Sequence, residues 1–232
     1  MIAREERGKA NESAPALNPV NCRPTGICRV ALETASERKG AVFLIRIELL
    51  SKDNFHPDSL DHYQRKQEVR KVYRKRDGAY ILVDCVYTED WDAGKRRSVA
   101  RTISGDDCIT YLALEEDRVV GFISLLKQLE GSCMILDMMH VSAECRGLGT
   151  GRRLFCKGKE EARKAGAEAL YISACSSEET VAFYKAMGSR LTDCPIKRIA
   201  DNEPYDLQMV CYLEVFKVSD HSLLMKGPMY TH

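Results

Sequence analysis

The stretch "ECRGLGTGRRL", Glu144 to Leu154, sets Gly147, Gly149 and Gly151 at alternate positions and then runs into Arg152, Arg153 and Leu154. Glycine supplies backbone conformations that other residues resist, and it lets a ligand approach the main chain closely. A phosphate-binding P-loop would need Lys followed by Ser or Thr after the last glycine, but Arg152 follows Gly151. A dinucleotide fingerprint counted from Gly147 would need its third glycine at Arg152. What remains is a strand end that turns through Arg146, Gly147, Leu148, Gly149, Thr150 and Gly151 into a helix. Such a turn either presents successive N–H groups to an anion at the helix N-terminus or is simply tight, with solvated arginines.

Local charge favours the anion. From Glu144 to Lys164 there are seven cations and three anions, a local +4 within a chain of net +1. With 35 Lys plus Arg against 34 Asp plus Glu there is no global basic field, so nucleic acid is not an expected partner. The composition, 44% hydrophobic and 30% charged, suits a packed globular core. Ten scattered cysteines with no Cys-x-x-Cys and no histidine at zinc-ligand spacing read as buried small hydrophobes in a reducing cytoplasm, with no metal expected. The most apolar run, "AVFLIRIELL", is ten residues long and carries Arg46 and Glu48, so no membrane span is expected.

Working outward from the loop, "CMILDMMHV" before it is a buried strand, and a helix from about Thr150 to Ala165 after it ends at Gly166. "EALYISA" is the next strand. Ser176 and Glu179 have capping-box spacing at the start of the helix "EETVAFYKAM", which Gly188 ends. Strands near "SRLTD" and "YDLQMVCYLEVF" close the domain. Upstream, "VFLIRIELL" reads as the first strand, and "CITYLALEEDRVVGFISLLK" as a hairpin. "AYILVDCVY" is a strand and "KRRSVARTIS" a short helix. From Asp58, the spacing of Leu60, Tyr63, Val69, Val72 and Tyr73 before Gly78 predicts one or two helices. Residues 1–40 read as a poorly structured extension, 41–216 as the domain and 217–232 as a tail.

Taken together, these elements resemble the GCN5-related N-acetyltransferases (GNAT superfamily), of the bacterial small-molecule type. The family signature, Arg or Gln, two residues, Gly, one residue, then Gly or Ala, is matched by Arg146, Gly149 and Gly151 after a strand ending in Val141. "EETVAFYKAMGSRL" looks like the family's A-x-x-F/L-Y-x-x-x-G-F segment, and the likeness covers roughly Ile45 to Glu214. Two positions depart from it. Ser177 stands where the family often has Asn, and Ser189 where it has Phe.

The resemblance implies an α/β (α+β) GNAT fold: a central mixed, mostly antiparallel twisted sheet flanked by helices and splayed between its two middle strands. It implies acetyl-CoA as co-substrate, with its pyrophosphate on the backbone of Arg146, Gly147, Leu148, Gly149, Thr150 and Gly151. Pantetheine and the thioester oxygen would lie near Met139 and Val141, with Ser177 nearby. Tyr184 would protonate the departing thiolate, and the acetyl group would pass directly to an amine without an acyl-enzyme. The amine must lose a proton, for which Asp137 or His140 is available. By strand alternation they point to opposite faces unless a bulge intervenes, and Asp137 is preferred. Glu89, Asp90 and Trp91 could clamp a cationic substrate, or Asp90 or Asp92 could simply cap a helix. A small-molecule amine acceptor, polyamine-like or antibiotic, is expected. A protein N-terminus or lysine, and a non-catalytic CoA-binding sensor, are the alternatives. A homodimer is left open.

Overall fold

Fifteen short elements follow one another in the computed structural model, which describes residues 35–38 and 41–213. The strands are β1 (Ala35–Arg38), β2 (Ala41–Leu49), β3 (Gln67–Arg76), β4 (Ala79–Glu89), β5 (Cys108–Glu115), β6 (Arg118–Leu126), β7 (Cys133–Val141), β8 (Ala169–Ala174), β9 (Arg190–Leu191) and β10 (Leu207–Tyr212). The helices are α1 (Ala93–Ile103), α2 (Thr150–Lys164), α3 (Glu178–Ala186) and α4 (Lys197–Asn202), with a 3-10 turn at Ala143–Cys145. β1 pairs with β2 ahead of the boundary expected near Gly40. The rest of the expected extension, and the tail 217–232, lie outside the described residues.

Eight strands form one sheet in the order β1-β2-β5-β6-β7-β8-β10-β9, antiparallel throughout except for the parallel pair β7–β8. A parallel pair needs a crossover, and the glycine loop with α2 supplies it. Helices cover both faces, so β5 and β6 are apolar almost continuously rather than alternating. α2 lays Leu154, Phe155 and Ala162 on one face, against Ile123, Leu125, Leu136 and Ile172. Burying a side chain the size of Leu154 or Phe155 contributes about 2–3 kcal/mol. On the other face, Val99, Ala100 and Ile103 of α1 join Phe55, Leu60 and Tyr63 over Leu112, Leu114 and Phe122.

Two features of the sheet position the site. β7 pairs with β8 only from Cys133↔Ala169 to Leu136↔Ile172, yet both strands run on, β7 with β6 and β8 with β10. The sheet therefore splits beyond Leu136. At the same level the β6–β7 register jumps, from Ser124↔Met138 to Leu125↔Leu136, leaving Asp137 as an extra residue. A bulge of this kind bends its strand and increases the twist, which carries the end of β7 away from β8.

Three expectations are corrected. Residues 67–76 are a strand, not a helix: β3 and β4 form a two-stranded ribbon joined by Asp77 and Gly78, with φ of 50° and 81°. Asp-Gly at consecutive positive φ is a hairpin signal. An irregularity between Val69 and Lys71 lets Val69 and Val72, three apart, both face inward, which imitates helical spacing. Segment 58–63 makes turns, with Leu60 and Tyr63 buried. The cap of α3 is Ser177, whose hydroxyl accepts from the Thr180 N–H, while the Ser176 hydroxyl accepts from Arg74 at 2.7 Å instead. α4 was not anticipated.

Candidate active site

The split between β7 and β8 opens into a cleft of about 1060 Å³, lined from the glycine loop, β7, the end of β8, α3 and the 203–206 segment. Ser142 N–H donates to Val120 C=O at 2.8 Å. Because antiparallel residues alternate in direction, His140 and Met138 also face β6, and the backbone groups of Met139 and Val141 face the gap. Their side chains pack on the α2 side.

The loop closes the α2 end of the gap. Gly147 and Gly149 have φ of 78° and 80°, a region that costs other residues about 1–2 kcal/mol. A Cβ at either would meet nothing within 4 Å, so their requirement is conformational. At Gly151 it is proximity, since a Cβ would lie 3.3 Å from Phe183 Cε2. Among the described residues, the N–H groups of Gly147, Leu148, Gly149, Thr150, Gly151 and Arg152 donate to no protein acceptor. This row at the N-terminus of a fifteen-residue helix is an anion cradle by geometry. Leu148 anchors the loop in the core, and Thr150 begins α2 with a buried hydroxyl that has no partner.

Arg146 differs from the expectation. Its N–H turns inward to Ala143 C=O, and its guanidinium donates to the carbonyls of Val141 (3.1 Å), Lys66 (3.0 Å) and Arg65 (3.5 Å). It therefore fastens the end of β7 to the chain entering β3, and the donor row starts one residue later. Loss of hydration, then the Arg65 charge, lowers its pKa.

Tyr184, on α3, is buried at 7% exposure and lines the cleft. Its ring packs on Phe155 and Phe183, with centroids 5.9 and 5.3 Å away, and its hydroxyl has no hydrogen-bond partner among the described residues. Burial raises its pKa, so the hydroxyl stays protonated and neutral at physiological pH. Ser177 is fully buried outside the cleft; its hydroxyl caps α3, donating to Thr180 Oγ1 at 2.8 Å and accepting from Gln67. Its hydrogen bonds are made within the protein, and it is not among the residues that line the cleft.

Across the gap, Asp137 is the extra residue of the bulge and lines the cleft. Partial loss of hydration, then the Asp107 and Glu203 carboxylates, raise its pKa. The bulge shifts the phase of β7, so Met138 and His140 face the α1 layer. His140 stands edge-on to Trp91 at 4.8 Å. Burial, then Arg65, Arg146 and Lys95, push its pKa down to about 3, leaving a neutral ring.

The expected clamp is divided. Trp91 lines the cleft, but Glu89 is paired to the buried Arg65 at 2.6 Å, and Asp90 accepts its neighbour's N–H and borders a separate small cavity. Asp92 caps α1. Sequence inspection overlooked Asp206. It precedes β10, and pairing of Leu207 with Ala174 sets it beside Cys175 at the lip of the gap. Burial, then Glu203 and Glu89, push its carboxyl up to about 7. Only the β8–β10 register reveals this, and no local motif announces it.

Among the described residues, no group of His, Cys, Asp and Glu is arranged to hold a metal ion, and no helix is long and apolar enough to cross a membrane. Residues 69–188 match the model of the acetyltransferase (GNAT) family. No curated protein sequence matches the chain. In fold it is similar to the crystal structure of nourseothricin acetyltransferase, with a TM-score of 0.57 and 18% identity over 73% of this chain and 99% of that one. It is similar also to a protein from Bacillus anthracis str. Ames, described as a candidate streptothricin acetyltransferase, in complex with acetyl coenzyme A. There the TM-score is 0.56 and the identity 17%, over 73% of this chain and 99% of that one. At such identities the likeness is one of fold.

Proposed function

Because this chain belongs to the acetyltransferase (GNAT) family, we propose that it moves the acetyl group of acetyl-CoA directly onto a primary amine of a small molecule, with residues 41–216 as the working domain and the cytoplasm as its location. One observation carries this: a row of unused N–H groups from Gly147 to Arg152 and the unpaired hydroxyl of Tyr184 border the same gap in the sheet. The row fits a pyrophosphate, which several N–H donors and a helix N-terminus would hold without a metal ion.

Backbone donors at Met139 and Val141 would meet the thioester oxygen as it becomes an oxyanion, and donors fixed in advance lower that barrier. Tyr184, neutral and unpaired, would give its proton to the departing thiolate. Asp137, on the opposite wall, would draw the cationic amine to the gap. Polyamines and amino-bearing antibiotics are acceptors of the right chemistry.

Calorimetric titration of acetyl-CoA into wild type and Gly149→Glu tests the cofactor site. Micromolar-range binding by wild type and none by the folded variant is expected. Failure of folded wild type to bind would overturn the proposal and leave the loop an ordinary tight turn. A screen of amines for thiol release then identifies the acceptor.

A further inference from the structure

Five carboxylates line the cleft with no cation paired to them among the described residues: Glu68, Asp137, Glu179, Glu203 and Asp206. Glu203 lies close enough to Asp137 and Asp206 to act on both, so these three form a group, with Asp137 and Glu203 exposed and Asp206 half-buried. Beside them is Tyr184, more than nine-tenths buried, lining the cavity with an unpartnered hydroxyl. Unpaired acids that share a cleft repel one another, a cost that a bound cation would remove.

Asp206 stands at the end of a polar network. A directed chain of hydrogen bonds leads to the Ser173 hydroxyl near it. The Ile196 N–H donates to the Tyr171 hydroxyl (2.9 Å), which donates to Gln208 Oε1 (2.7 Å). Gln208 Nε2 donates to Ser173 Oγ (2.9 Å), and the Ser173 hydroxyl lies near the Asp206 carboxylate, whose charged form it favours. Tyr171 and Gln208 are both buried, so the chain has no slack. The chain orders Ser173, and the β8–β10 register sets the carboxylate at the lip of the gap, next to Cys175 and within the electrostatic reach of Tyr184.

We propose that Asp206 receives the proton that the acceptor ammonium must lose, and that with Asp137 and Glu203 it selects acceptors bearing a second positive charge. This rests on the acetyltransferase reading of the cleft. The N–H bond of the ammonium breaks, and its proton goes to the Asp206 carboxylate. The freed lone pair forms the C–N bond to the thioester carbon, and the C–S bond breaks. The thiolate takes the Tyr184 proton, and the phenolate recovers one from the acetylated nitrogen. One proton leaves the site through Asp206 per turnover.

Besides Ser173, the groups that face Asp206 are Glu203 on its own segment, Glu89 from the ribbon, Arg74 from β3, Cys175 after β8 and Tyr184 from α3. The acids and lost hydration outweigh Arg74, whose guanidinium is occupied by the Tyr73 carbonyl and Ser176. The carboxyl is thus poised near neutrality, where a proton acceptor for an amine works best.

The test uses the full chain saturated with CoA, with spermidine and n-butylamine as calorimetric probes and carboxyl-labelled aspartate followed by 13C NMR. Spermidine should bind at least tenfold more tightly than n-butylamine. Asp206→Asn should weaken spermidine binding about tenfold, leave acetyl-CoA binding unchanged, and remove a carboxyl resonance that titrates near neutrality in wild type. Ser173→Ala, which leaves the carboxylate in place, should move that titration and not the acetyl-CoA affinity. Absence of spermidine binding, a wild-type Asp206 signal in the ordinary carboxylate range, or an equal loss with the exposed Asp201→Asn would overturn the proposal. Failure of wild type to bind acetyl-CoA would instead overturn the reading beneath it.

Discussion

Replacing Asp206 with Asn should make the protein more stable at pH 8 relative to wild type than it is at pH 4. In the folded protein this carboxyl is pushed from an ordinary 3.8 up to about 7, first by lost hydration and then by Glu203 and Glu89. Between those limits the folded state keeps a proton that the unfolded chain has released. Wild-type stability therefore falls as pH rises through this window, and the cost is fully present above about pH 7. A shift of roughly three pH units at about 1.4 kcal/mol each sets an upper value of about 4 kcal/mol. The edge of the carboxylate that faces the open cleft is solvated, so about 2 kcal/mol is the better expectation. Asn also alters the contact with Ser173, which favours the charged carboxylate and is already included in the net upward shift. Urea unfolding of both proteins at pH 4 and pH 8 isolates the pH-dependent part as a difference of differences. If the wild type and the variant differ by the same amount at both pH values, the carboxyl titrates normally and the picture of a desolvated, unpaired acid is wrong.

Two further outcomes follow from packing and from the site. Gly158→Ala would place a Cβ 2.5 Å from Ile123 Cδ1 at the α2–β6 contact. Thermal or denaturant melts should show a loss of about 1–3 kcal/mol. Adding Ile123→Val, which deletes the crowding carbon, should recover part of the loss in a double-mutant cycle. Tyr184→Phe keeps the ring on Phe155 and Phe183 and removes a hydroxyl that has no partner in the protein, so melting should be little changed. With an acceptor from the amine screen, thiol release should slow by roughly 10²-fold or more while the calorimetric affinity for acetyl-CoA stays the same. An unaltered rate would remove the proton-donor role.

How far residue patterns carry can be seen at particular elements. The glycine loop, α2 and α3 were legible because their information is local. A positive φ needs glycine, a helix end needs a cap or a glycine, and a two-sided sheet needs continuous apolar strands. The β3–β4 ribbon misled. Its Asp-Gly turn was a correct local signal, but the irregularity near Arg70 gave Val69 and Val72 a helical interval. By charge alone Arg146 is one of the cations at the loop, whereas the fold brings the carbonyls of Arg65 and Lys66 within reach of its guanidinium.

By itself, the sequence determined the extents of α2 and α3, the strand of buried residues leading into the loop, and the concentration of glycine and positive charge at one helix N-terminus. These depend on neighbours a few residues apart. Only tertiary structure decided where the sheet splits, which face each β7 side chain takes, and which acids meet in the cleft. The split and the face depend on one extra residue, Asp137, in the β6–β7 register. The meeting of Asp206 with Ser173, Cys175 and Tyr184 depends on strands joined through α3, β9 and α4. A carboxylate shows nothing of its hydration or its partners in the residues beside it, because both are set by what the folded chain brings up against it.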